Sequence, residues 1–140
     1  MLQPKRLKFP KAHRGRMRGR TRSNAELHYG EFGLQALAPQ WLSARQLEAA
    51  RRAIVREARR RGKVWMRVFP DKPITKRAAE TRMGKGKGNV EWYAAVVRPG
   101  RVLFEVAGMP ADVARTALTL AAAKLPIPTK IITRSEFLSE

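Results

Sequence analysis

The run Arg82-Met83-Gly84-Lys85-Gly86-Lys87-Gly88-Asn89 suits neither a helix nor a buried strand. Glycine at every second position leaves the backbone too free for either, and lets it take φ > 0 close against a partner. Lys63–Phe69 before it and Val90–Arg98 after it alternate in the manner of strands. The run therefore reads as the tip of a long loop joining two strands of one sheet. Arg82, Lys85 and Lys87 add positive charge to bare N–H groups, a combination that suits phosphate oxygens. It is not a nucleotide P-loop, because the order G-x-x-x-x-G-K-[ST] is absent and no helix pattern follows. The alternative is a solvated loop whose lysines serve solubility.

Such a loop needs a scaffold, and 140 residues with a hydrophobic fraction of 44% provide one domain with a real core. The net charge of +19 opposes compaction and asks for a polyanionic partner. Nucleic acid leads, ahead of an anionic membrane or a heparin-like sugar. Cysteine is absent, which excludes disulfides, thiolate metal sites and cysteine nucleophiles. His13 and His28 lack metal-ligand spacing, and no apolar run approaches the roughly 18 residues of a membrane span. The basic N-terminus has no apolar signal core, so secretion is not expected. Its acid-free, arginine-rich composition is that of a mitochondrial transit peptide, with too little apolar face for one.

Residues 1–22 form an extended basic arm ahead of a single domain, 23–140. It carries Lys5, Arg6, Lys8, Lys11, Arg14, Arg16, Arg18, Arg20 and Arg22 without one acid. Such a block repels itself when free and becomes ordered between phosphates, where counterion release offsets the lost entropy. Phe9 either stacks on an unpaired base or anchors the arm to the domain; His13 either stacks or meets a phosphate. A bent or bulged strand is expected over Leu27–Leu37, ended by Pro39 and Gln40. Ser43 with Gln46 is a capping box opening a helix that Gly62 stops. Leu47, Ala50, Ile54 and Ala58 form its core stripe. Arg45, Arg52, Arg56 and Arg59 gather opposite, as a solvated face or an RNA contact. Glu48–Arg52 and Glu57–Arg61 have i,i+4 spacing.

In Lys63–Phe69, Val64, Met66 and Val68 face the core, and Trp65 and Phe69 are expected to be covered in preference to stacking on bases. Pro70 and Pro73 end that strand, with Asp71 a turn residue. The loop then spans 71–89, including Lys72, Lys76 and Arg77, and a loop so long and basic reads as functional. Pro99-Gly100 predicts a hairpin between Val90–Arg98 and Arg101–Ala107. A second helix is expected from Pro110 to Lys124, burying Val113, Ala117, Leu120 and Ala121. A last strand covers Ile127–Thr133. The fold class is α+β, an antiparallel or mixed sheet with two helices packed on it. Without a carboxylate pair, metal cluster or nucleophile–base pairing, neither an enzyme nor a cofactor is expected.

Two segments also carry a family likeness. Arg60-Arg61-Gly62-Lys63-Val64-Trp65-Met66-Arg67-Val68-Phe69-Pro70-Asp71-Lys72-Pro73 and Arg82–Glu91 resemble the L-sixteen family of bacterial large-subunit ribosomal proteins. So do Pro4-Lys5-Arg6, His13-Arg14-Gly15-Arg16 and Ala121–Ile127, in the right order along nearly the whole chain. The resemblance implies a cytoplasmic ribosomal protein, bacterial or organellar. Its partners would be 23S ribosomal RNA near the peptidyl-transferase region, aminoacyl-site tRNA and neighbouring large-subunit proteins. Peptidyl-site tRNA is a further expectation; membrane and small-molecule substrate are not expected. RNA contact is assigned to Lys5, Arg6, Lys8, Lys11, His13, Arg14, Arg16, Arg52, Arg56, Arg59, Lys72 and Lys76. The tRNA-site loop is assigned to Arg82, Met83, Gly84, Lys85, Gly86, Lys87 and Gly88. Pro10 departs from the basic residue expected in this family.

Overall fold

The alternating apolar segments divide between two antiparallel sheets. The computed structural model describes residues 2–6, 8, 9, 11, 19, 21, 25–76 and 89–134. In chain order the elements are β1 (Phe32–Ala36), β2 (Gln40–Ser43), α1 (Ala44–Ala58), β3 (Lys63–Met66), β4 (Lys72–Lys76), β5 (Asn89–Val97), β6 (Val102–Ala107), α2 (Ala111–Ala122) and β7 (Thr129–Thr133). One sheet runs β3-β6-β1-β7, the other β2-β5-β4. The α+β class holds, in two sheets where one was expected.

This division corrects the expected hairpin. β5 and β6 lie in different sheets, and Pro99-Gly100 turns the chain from one into the other. The Arg101 N–H donates to the Arg98 carbonyl at 3.2 Å. Gly100 sits at φ 95°, the geometry of a type II turn with proline first and glycine second. That turn is then held in place from β1: the Gly100 N–H donates to Ala36 O, and the Ala36 N–H to Arg101 O, both at 2.8 Å.

The loop is corrected in the same way. Its preceding strand is β4, since β3 belongs to the other sheet. Lys72–Lys76, expected to be loop, pair with β5 from Lys72↔Ala94 to Lys76↔Asn89. Pro73 is tolerated because β4 is an edge strand, where a missing N–H can face away from the ladder. The connection between Lys76 and Asn89 falls outside the described residues.

α1 begins as its sequence predicts. Ser43 Oγ accepts from the Gln46 N–H at 3.2 Å, and Gln46 Oε1 accepts from the Ser43 N–H at 3.0 Å. Leu47, Ala50, Ile54 and Ala58 are buried. The helix stops earlier than Gly62, however. Arg59 turns left-handed at φ 51°, and its N–H bonds back to Val55 and Arg56 carbonyls. Gly62 (φ 72°) instead permits a close crossing: a Cβ there would lie 2.1 Å from the Ala107 carbonyl oxygen. Arg61 Nε donates to the Ala58 carbonyl at 3.4 Å, leaving the expected Glu57–Arg61 pair unformed.

α2 starts after Pro110 and buries Ala114, Ala117, Leu118 and Ala121. Leu120, expected inside, is 43% exposed, so the stripe is rotated from the expected one. The two helices pack on one another and share one core with both sheets. Leu34, Phe104 and Val106 come from the four-stranded sheet, Leu42, Ala95 and Val97 from the three-stranded one. Val68 joins them, whereas Phe69, also expected to be covered, is exposed. Only Phe32–Ala36 of the expected 27–37 strand is strand; its irregularity, expected as a bend or bulge without a fixed position, is a register shift at Leu34/Gln35. Gln40 does not merely end it; it opens β2. Leu27–Gly30 form a strap across the sheet face opposite the helices, where Gly33 leaves room for Leu27.

Candidate nucleic-acid interface

The described part of the arm lies open to solvent. Lys5, Arg6, Lys8 and Lys11 are all exposed. Phe9 is 70% exposed, with Lys8 Nζ 5.7 Å from its ring centroid, so it does not anchor the arm. Leu2 takes that part: it is half-buried and lines a cleft with Trp41, Arg45 and Trp92. Farther along, the Thr21 N–H donates to the Pro99 carbonyl at 3.0 Å, tying the arm to the turn between the sheets. His13, Arg14 and Arg16 fall outside the described residues, as do Arg82, Met83, Gly84, Lys85, Gly86, Lys87 and Gly88.

α1 presents the second basic surface. Arg45, Arg52, Arg56 and Arg59 are exposed, as the helical spacing requires. Arg60, Arg61 and Lys63 extend the patch past the helix end, and all three are exposed. Sequence reasoning left these three out, although the run Arg59-Arg60-Arg61-Gly62-Lys63 was a readable signal. Cations gathered at a helix C-terminus are favoured by the helix dipole. Within the helix, Glu48 is engaged by Arg51 Nη2 at 2.5 Å and Arg52 Nε at 3.2 Å. The Arg51 hydrogen bond, with help from Arg52, holds the Glu48 carboxyl down at about 2 and raises Arg51 in return.

Lys72 and Lys76 stand on β4, at the root of the loop. The Lys72 ammonium lies 4.5 Å over the Trp41 ring and is half-buried there. Lys76 is the last residue of β4, opposite Asn89. Trp41, Lys72 and Trp92 share the outer side of the small sheet, since Leu42, Ala95 and Val97 on the other side fill the core. The structure thus places Lys72 and Lys76 on the strand that leads into the loop, and brings Arg45 of α1 to the same cleft as Trp41 and Trp92.

One polar centre escaped the sequence reading. Glu105, in mid-strand of β6, is 0% exposed. Its Oε1 accepts the backbone N–H groups of His28 (2.9 Å), Tyr29 (2.9 Å) and Gly30 (3.0 Å), and its Oε2 accepts from Arg67 Nη1. Burial pushes the carboxyl up, but the Gly30 and Tyr29 N–H groups and the Arg67 guanidinium outweigh it and hold it below the usual range. Arg101 donates to the Arg67 carbonyl at 3.3 Å, and burial, then repulsion from Arg67, lowers its own affinity for the proton. The available signal was a single acid inside Val102-Leu103-Phe104-Glu105-Val106.

Among the described residues no group of three or more histidines and acids could hold a metal, and no helix is long and apolar enough to cross a membrane. Residues 4–132 match the family described as ribosomal protein L16p/L10e. The chain is 57% identical over 136 residues to the large ribosomal subunit protein uL16 of Trichodesmium erythraeum, covering 97% of this chain and 99% of that one. It is 59% identical over 134 residues to the protein of the same name from Azorhizobium caulinodans, covering 96% and 98%.

Proposed function

The chain belongs to the ribosomal protein L16p/L10e family, and from that premise we propose that it binds 23S ribosomal RNA and extends its glycine–lysine loop toward aminoacyl-site tRNA. It is a structural, non-enzymatic component of the large ribosomal subunit, and its place is the cytoplasmic ribosome. The observation that carries the RNA reading is the exposed arginine row of α1, continued by Arg60, Arg61 and Lys63. Only Glu48 and Glu57 oppose it on that helix, and Glu48 already serves Arg51 and Arg52.

The mechanism is electrostatic. Guanidinium and ammonium groups neutralise phosphates and release counterions, while the rigid core fixes where the charges stand. Lys5, Arg6, Lys8, Lys11, His13, Arg14 and Arg16 serve one stretch of RNA, and Arg52, Arg56 and Arg59 another. Lys72 and Lys76 stand where the loop leaves the sheet. Arg82, Met83 and the Gly84–Gly88 backbone, with Lys85 and Lys87, would approach tRNA closely. The same loop reaching peptidyl-site tRNA is the longer extension of this reading.

A tagged copy expressed in bacteria and followed through sucrose gradients tests the core of the proposal. Co-migration with the large subunit through a moderate-salt wash is expected, and a free protein would overturn it. With purified RNA, the log–log salt slope should be roughly −0.7 to −0.9 per phosphate neutralised. Lys85→Ala with Lys87→Ala should weaken tRNA binding to the subunit and leave the unfolding midpoint of the free protein unchanged.

A further inference from the structure

Tyr29 is held out to solvent by more structure than a surface tyrosine requires. Its ring is 59% exposed, yet the backbone on both sides of it is pinned. The N–H groups of His28, Tyr29 and Gly30 converge on one oxygen of Glu105, which lies 75 to 77 residues away in sequence. Underneath, the Tyr29 ring stacks on Trp65, with centroids 5.9 Å apart and planes 22° from parallel. The Arg67 guanidinium carbon lies 5.2 Å from the Tyr29 centroid while the same group binds Glu105. A buried carboxylate is tolerated only when it is paired and fully hydrogen-bonded, so the ring rests on a foundation with little freedom to shift. Exposed His28, its ring 6.4 Å from that of Tyr29, borders the patch.

We propose that Tyr29 is a stacking platform for one unpaired nucleobase of the subunit's RNA, with Glu105 as the residue that positions it. The proposal rests on the RNA-binding reading above and adds to it a contact of another kind. Phosphate contacts are charged and weaken with salt, whereas a base on an aromatic ring is held by its π-face, whatever its identity. Unpaired bases splayed from loops and bulges are the RNA feature that such a ring accepts. Trp65 and Arg67 both pack against the ring and hold its orientation, and a chain of charge +19 keeps RNA near it. The competing role is that of a roof over Trp65, which Tyr29 would fill without touching RNA.

Ultraviolet crosslinking of large subunits carrying the wild-type chain, with adducts located by mass spectrometry, separates the two. A nucleotide adduct on Tyr29 is expected. In subunits carrying Tyr29→Ala, that nucleotide should become several-fold more reactive to 2′-hydroxyl acylation, whereas Tyr29→Phe, which keeps the ring, should match wild type. Glu105→Gln should raise the same reactivity with Tyr29 still present. Subunits that hold the protein but show no Tyr29 adduct, or an adduct to a neighbouring protein instead, would overturn the platform and leave the RNA-binding reading standing. Unchanged reactivity in incorporated Tyr29→Ala would overturn it equally. A wild-type chain missing from the subunit would overturn both readings. Should Tyr29→Ala fail to incorporate, the wild-type adduct alone decides.

Discussion

Glu48 and Glu105 are both kept ionised in opposite surroundings, Glu48 by two arginines and Glu105 by the Gly30 and Tyr29 N–H groups with Arg67. Glu48 sits on the outer half of α1, and its partners Arg51 and Arg52 keep 41% and 72% of their side chains in water. Glu105 and its partner Arg67 keep 0% and 9%. The first pair joins neighbours on one helix and changes nothing in the topology. The second joins β6, the segment after β3 and the strap from Leu27 to Gly30, so that it determines what covers the back of the four-stranded sheet. Similar chemistry thus tunes a surface in one place and fixes an architecture in the other.

Removing the buried carboxylate should have the largest effect. Glu105→Ala removes the buried carboxylate that Arg67 binds and frees three backbone N–H groups, and should cost about 3–5 kcal/mol by urea unfolding. A loss below about 1 kcal/mol would equate the two pairs and end the contrast. Gly30→Ala probes the seat of the strap without touching charge. Its Cβ would meet the Val106 carbonyl oxygen at 2.6 Å, so a loss of about 1–3 kcal/mol is expected from the same titration. A wild-type midpoint would mean that the strap is not seated there. Glu48→Gln should be the mildest, within about 1 kcal/mol.

Acid sharpens the comparison. Both carboxyls are lowered on folding, so each contributes stability that is fully present above the ordinary value near ~4.3 and is lost as pH falls through the folded value. For Glu48 that value is about 2. Urea midpoints at pH 7 and pH 3 should therefore lie closer together in Glu105→Gln than in wild type, and closer together in Glu48→Gln as well.

Local signals were legible where local physics decides. Ser43 and Gln46 announce the start of α1 because a capping box is complete within four residues, and the α1 stripe follows from its period. The Pro99-Gly100 turn was legible as a turn and misread as a hairpin, because a type II turn looks the same whether its strands share a sheet or part. β2 and β4 are short, and β4 contains a proline, so each took its strand form from pairing with β5. Leu120 was misplaced because the five alanines of α2 leave its apolar face poorly marked. The basic residues proposed for the site were read from charge, helical spacing and the family likeness. Glu105 was not, because its meaning depends on three N–H groups brought from another part of the chain.

That span sets an order of events during synthesis. His28, Tyr29 and Gly30 cannot be fastened until Glu105 exists, 75 to 77 residues later. At roughly 5–20 residues per second, the wait is about 4–15 s. Throughout it, the arm and strap have emerged while their fixed point has not. The most cationic stretch of the chain is therefore made well before the residue that fastens the strap next to it.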